Sequence, residues 1–146
     1  MEHKVILLVE DTPTDEELTA RALKNSGVAV SVVVARDGEE ALTHLLADEP
    51  SKLPDLVMLD LKLPKVDGLE VLEKLRAAPR TKTLPVVVLS TSTKREDVVA
   101  AYHRGCNGYL AKGADYLRFV DAARIAVQYW LVHNIAPTQP ASAGEA

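Results

Sequence analysis

A chain of 146 residues, 47% of them hydrophobic, can build one domain with a substantial core and leaves little room for a second. Its 17 Lys and Arg against 21 Asp and Glu give a formal net charge of −4, which argues against nucleic-acid binding, and no block of like charge marks an interaction tail. Cys106, the only cysteine, excludes an intramolecular disulfide and a structural zinc site built on several thiolates.

In chain order, the first element is an apolar run at residues 5–9, near-continuous as in a strand buried on both faces. It is too short for a signal-peptide core and is followed by acidic Glu10 and Asp11. No stretch approaches the ~20 apolar residues of a membrane span, so a soluble, cytoplasmic protein with no membrane partner is expected. The first helix starts at Thr12, followed by Pro13 and spaced as a cap from Asp15, or at Thr14 with Glu17; both spacings fit. Further strand-like runs lie at residues 30–35, 56–59 and 86–89, with a weaker fifth at 108–111. Asp37 with Glu40, Asp67 with Glu70 and Thr93 with Glu96 repeat the helix-start spacing between them. Gly27 and Gly105 stand where the first and fourth helices should stop.

The order is β-then-α, repeated five times. Short crossovers of this kind force parallel strands and right-handed connections, and five such units most often make an open sheet, so the expected fold class is α/β, a flavodoxin-like (βα)5 doubly wound sheet with strand order 2-1-3-4-5. Residues 1–134 form the domain. Residues 135–146, rich in Pro, Ala and Ser, are expected to be a disordered tail. The last helix, residues 115–134, places Phe119, Val120, Ala123, Ala126, Val127 and Trp130 on one side, facing the sheet. Ile125, Tyr129 and Val132 fall within its polar half, either as scattered surface apolar groups or as a subunit interface.

Ligands of an open parallel sheet bind beyond the carboxyl ends of its strands. The residues there are Glu10 and Asp11 after strand one, Asp60 at strand three, Ser90 at strand four and Lys112 at strand five. Three ionised carboxylates face one ammonium, and crowded carboxylates raise one another's pKa unless a cation intervenes. Mg²⁺ suits such a site, because it takes one or two carboxylates plus phosphate oxygens and keeps several waters. It also brings the local charge to neutrality, so that a dianionic phosphoryl group can approach. Asp60, on the middle strand of the cluster, is the nucleophile by position, since carboxylates form aspartyl-phosphate intermediates.

The residues around these positions read L-L-V-E-D at 7–11, L-D-L-K-L-P-K-V-D-G at 59–68, L-P-V-V-V-L-S at 84–90 and G-C-N-G-Y-L-A-K at 105–112. Over residues 4–134 the chain thereby resembles a bacterial response-regulator receiver. The resemblance implies that Asp60 is the phosphoacceptor and a metal ligand. It implies that Asp11 holds Mg²⁺ directly, Glu10 holds it through water, and the backbone carbonyl of Lys62 completes the protein ligands. Ser90 is then the hydroxyl that hydrogen-bonds the phosphoryl group, Lys112 the lysine that pairs with it, and Tyr109 the aromatic switch. Gly113 departs from the usual Pro after that lysine, which implies a more flexible turn.

The missing output domain and the long fifth helix ending in Tyr129-Trp130 are similar to small receivers that partner bacterial phytochrome-type histidine kinases. The resemblance implies signalling, and a homodimer contact or partner docking, through helix four, strand five and helix five. His3, His44, His103 and His133 sit on separate elements and form no metal set. Two other readings compete: a phosphorylation-independent binding module on the same fold, and a multi-turnover phosphatase or transferase. The second would need a general acid and a substrate cap, for which the sequence supplies no residues.

Overall fold

A computed structural model describes residues 3–47, 53–113 and 115–137. The expected tail falls largely outside the described residues, which end at residue 137. Strands β1 (Lys4–Val9), β2 (Val30–Ala35), β3 (Leu56–Asp60), β4 (Val86–Ser90) and β5 (Gly108–Ala111) alternate with helices α1 (Pro13–Lys24), α2 (Gly38–Leu46), α3 (Gly68–Ala77), α4 (Arg95–His103) and α5 (Tyr116–Gln128). The sheet is parallel throughout, as the alternation of runs and caps implies, and its order β2-β1-β3-β4-β5 is the flavodoxin-like one expected.

The three central strands are the apolar runs, and their burial explains why they are continuous rather than alternating. Every residue of β3 and β4 is buried, whereas edge strand β2 leaves Val33 exposed. Side chains pointing to one face, including Leu7, Val57, Leu59 and Val88, pack against Leu45 of α2, Leu72 and Leu75 of α3 and Ala101 of α4. Those pointing to the other face, including Ile6, Leu8, Met58 and Leu89, pack against Leu23 of α1 and Phe119 and Val127 of α5.

Local signals set the helix starts unevenly. Asp37 and Asp67 cap α2 and α3 as the spacing predicts, each carboxylate accepting a backbone N–H three residues on, from Glu40 at 2.7 Å and Glu70 at 3.0 Å. Thr12 takes the N-cap position of α1 ahead of Pro13, but its hydroxyl makes no capping bond. Thr93 does not cap α4: Lys94 is the flanking residue, and the turn is held by the Ser92 hydroxyl, which accepts the Lys94 N–H and donates to Asp97. Gly105 follows the end of α4 at a φ of +101°, the left-handed conformation that suits glycine.

The last helix corresponds to residues 115–134 as read, capped by Asp115, but it is not α-helical to its end. Over Tyr129–His133 the turn widens to π-helical bonding, and the Asn134 N–H reaches the Tyr129 carbonyl at 2.7 Å. Phe119, Ala123 and Val127 are buried as expected, and Leu131 continues that row, with Val120, Ala126 and Trp130 half-buried beside it.

Two contacts fix the ends of the sheet that matter for the site. Arg76 of α3 donates to the Gly105 carbonyl at 2.8 Å and to Asn107 Oδ1 at 2.9 Å, and Asn107 Oδ1 also accepts the Val86 N–H at 2.8 Å. This staple holds the entry to β5 against β4. At the opposite end, the loop after β3 is gripped between two helix starts: Gly68 donates its N–H to the Leu61 carbonyl at 2.8 Å, and Gly38 abuts Val66.

A methyl group has no room at either glycine. A Cβ on Gly38 would lie 1.8 Å from the Val66 carbonyl oxygen, and one on Gly68 would lie 2.5 Å from the Asp60 carbonyl oxygen. Gly68→Ala is therefore expected to destabilise the fold by about 1–3 kcal/mol and Gly38→Ala by at least the top of that range, read as lowered urea midpoints.

Candidate functional site

The carboxyl ends of β1, β3, β4 and β5 converge because the register brings them level. Val9 pairs with Leu59, Asp60 with Leu89, and Ser90 with Ala111. Asp60 and Ser90 are the final residues of their strands, and Glu10 and Lys112 are the first residues beyond theirs. Glu10, Asp60 and Ser90 are all buried, whereas Asp11 is exposed at the mouth.

Lys112 is the hub. Its ammonium donates to Glu10 Oε1 at 2.7 Å, Asp60 Oδ2 at 3.1 Å and Asp15 Oδ2 at 3.2 Å, and its side chain is 9% exposed. Its backbone is anchored as well, the Lys112 N–H reaching the Ser90 carbonyl at 2.7 Å. The second carboxylate oxygen of Asp60 accepts the Lys62 N–H at 3.1 Å, which orients the carboxylate; the Lys62 side chain itself is exposed.

Carboxylate oxygens of Glu10, Asp11 and Asp60 lie within 4.8 Å of one another, a donor set of hard oxygens that suits a divalent cation. The electrostatics point the same way. Burial, with the neighbouring Asp60 charge adding to it, pushes the Glu10 carboxyl up to about 7 despite the Lys112 hydrogen bond. Burial also opposes the charge on Lys112, but its bonds to Glu10 and Asp60 outweigh that and raise its pKa above the ordinary lysine value. One buried ammonium does not fully compensate this many carboxylates.

Ser90 Oγ accepts the Ser92 N–H at 3.1 Å, so the hydroxyl is built into the β4–α4 loop. Tyr109, on β5 opposite Val88, is half-buried, and its hydroxyl donates to the Ser92 carbonyl at 2.8 Å. The Ser90 hydroxyl and the Tyr109 ring therefore meet on one loop residue. Ile125, Tyr129 and Val132 lie far along α5 and its extension and are exposed, as is Leu117 in the first turn of α5, at 76%.

Sequence reasoning missed Asp15 as part of this constellation. Its spacing from Thr12 suggested a helix cap, yet its carboxylate turns to Lys112 instead. The available signal was its place one turn after Asp11, at the start of the helix that begins beside the site.

A doubly wound α/β domain with an acidic cluster and a lysine at the carboxyl edge of its sheet defines a class of phosphoacceptor-type signalling domains. The chain belongs to the response-regulator receiver family, whose model, the response regulator receiver domain, matches residues 6–124. It is 40% identical to the response regulator Rcp1 of Synechocystis sp. over 131 residues, 88% of this chain and 89% of that one. Among solved structures it resembles the phosphorylated cyanobacterial phytochrome response regulator RcpA at 39% identity and a TM-score of 0.86, over 94% of this chain and all of the other. It also resembles the bacteriophytochrome response regulator AtBRR at 40% identity and a TM-score of 0.74, over 95% of this chain and all of the other. Among the described residues no helix is long and apolar enough to cross a membrane.

The raised Glu10 pKa makes a directional prediction for protein held in chelator. Folded Glu10 retains its proton up to about 7, against an unperturbed 4.5, so between these values the folded state binds more protons than the unfolded state. The stability this confers is fully present below 4.5 and is lost as pH rises through about 7. Urea midpoints measured across that window should fall with pH, by on the order of 3 kcal/mol in unfolding free energy, and Glu10→Gln should flatten the slope.

Proposed function

We propose that the protein accepts a phosphoryl group on Asp60 from the phosphohistidine of a histidine kinase of the bacteriophytochrome type. It would act as a stoichiometric signal carrier that modifies itself once per cycle. The observation that carries this reading is the Lys112 ammonium bridging Glu10 and Asp60 beside a clustered acidic set. The phytochrome pairing rests on the likeness to RcpA and AtBRR, whose descriptions name phytochrome and bacteriophytochrome signalling.

In the proposed reaction an Asp60 carboxylate oxygen attacks phosphorus in line. The bond from phosphorus to the histidine nitrogen breaks, and an acyl phosphate forms on Asp60. Lys112, already in contact with Asp60, follows the charge onto the phosphoryl oxygens, and the Ser90 hydroxyl donates a hydrogen bond to them. Asp11, Asp60 and the Lys62 carbonyl would hold Mg²⁺, with Glu10 contributing through water. The ion would supply positive charge to offset the negative charge of the transferring group. Water hydrolyses the acyl phosphate later and resets the protein.

The readout we propose runs through Ser92. A Ser90 hydroxyl drawn to the phosphoryl group releases its bond to the Ser92 N–H, shifting the loop whose carbonyl holds Tyr109. The surface of α4, β5 and α5 then changes. We assign Ile125, Tyr129 and Val132 to a homodimer contact there, supported by their exposure as large apolar groups along one helix and its extension.

Phosphate incorporation should require both Mg²⁺ and Asp60: wild-type protein takes label from a phosphorylated kinase, and Asp60→Asn takes none. Label on Asp60→Asn would exclude Asp60 as the acceptor. The dimer is tested separately by sedimentation. Ile125→Asp with Val132→Asp should shift a dimer to a monomer while phosphorylation continues, and an unchanged sedimentation coefficient would remove α5 from the interface.

A further inference from the structure

An ammonium has three N–H donors, and three carboxylates take those of Lys112. Glu10 and Asp60 belong to the phosphorylation site as read above. Asp15 does not. It comes from the first turn of α1, outside the Glu10, Asp11 and Asp60 cluster, and its side chain is 42% exposed.

Three features make its contact with Lys112 consequential. The residue after the lysine, Gly113, is exposed, and a Cβ built on it meets no atom within 4 Å, so the chain beyond Lys112 gains no side-chain packing there. A cleft of about 150 Å³ opens beside the lysine between Asp15, Leu18, Tyr116 and Phe119, leaving its stem room to swing toward α1 and α5. On that side the Asp15 carboxylate holds the ammonium. It is also the one of the three partners whose chemistry would stay constant through the proposed cycle, since Asp60 would be acylated and Glu10 belongs to the acidic set that would hold the cation.

We propose that Asp15 is a positioning residue. It holds the Lys112 ammonium from the α1 side at the rim of the site, so that the charge is in place when phosphoryl oxygens arrive and stays in place after Asp60 loses its own. In this chain a third carboxylate thereby steadies a lysine that is flanked by an open cleft and followed by an unpacked Gly113. The inference rests on Asp60 being the acceptor.

The test is the rate of Mg²⁺-dependent label incorporation from acetyl phosphate into full-length wild type, Asp15→Ala, Asp15→Gln, Asp15→Asn, Lys112→Met and the Asp15→Ala/Lys112→Met double variant. Circular dichroism verifies folding of each. Asp15→Ala should be slower than wild type by about three- to tenfold, the range for a partly solvated charge-assisted bond. Asp15→Gln, with its oxygen carried away from the ammonium, should lose as much and serves if the alanine variant does not fold. Asp15→Asn, which keeps an acceptor oxygen in place, should recover most of the rate. In the Lys112→Met background, Asp15→Ala should add no further loss, because its effect passes through the lysine. An Asp15→Ala rate equal to or above wild type, an equal loss with and without Lys112, or an Asn variant as slow as the Ala variant would each overturn the proposal. A wild-type protein that takes no label would instead overturn the reading of Asp60.

Discussion

Everything at the carboxyl edge of this sheet is organised by one buried ammonium among too many carboxylates. Lys112 contacts Glu10, Asp60 and Asp15, and Asp11 adds a further negative charge nearby. Removing charges from water costs several kcal/mol each unless partners compensate, and here compensation is incomplete, as the upward-shifted Glu10 carboxyl records. A site left short of positive charge, with carboxylate oxygens of Glu10, Asp11 and Asp60 within 4.8 Å of one another, suits a divalent cation.

The fold exists to hold that deficit steady. Fully buried β3 and β4 carry Asp60 and Ser90 at their last positions, and the pairing of Asp60 with Leu89 and of Ser90 with Ala111 fixes their height. Gly38 and Gly68 let two helix starts close on the loop after β3, and Arg76 pins the entry to β5. The contacts of the β4–α4 loop converge on Ser92. There the Ser90 hydroxyl, the Tyr109 hydroxyl and the start of α4 are tied to one short loop by hydrogen bonds to Ser92.

Much of this was legible in the chain because its signals are local. Apolar runs, Asx caps at Asp37 and Asp67, and acidic or basic residues at strand tips each depend on a few neighbouring residues. Where the reading went astray, two local options competed. Thr93 and Ser92 both offer a hydroxyl ahead of α4, and the pairing of Ser92 with Asp97 decided between them. Asp15 could cap a helix or meet a distant lysine, and the charge of Lys112, 97 residues away, outweighed the cap. The widened turn at Tyr129–His133 left no composition signal, since the same apolar residues suit either helix type.

The sequence by itself determined the parallel α/β architecture and the residues at the strand tips, because period, capping and crossover length are properties of short segments. Only the tertiary structure decided which carboxylates share Lys112, how Tyr109 is tied to the loop after β4, and which glycines admit no side chain. These depend on distances between segments far apart in the chain, set by packing and by where buried charge finds a partner.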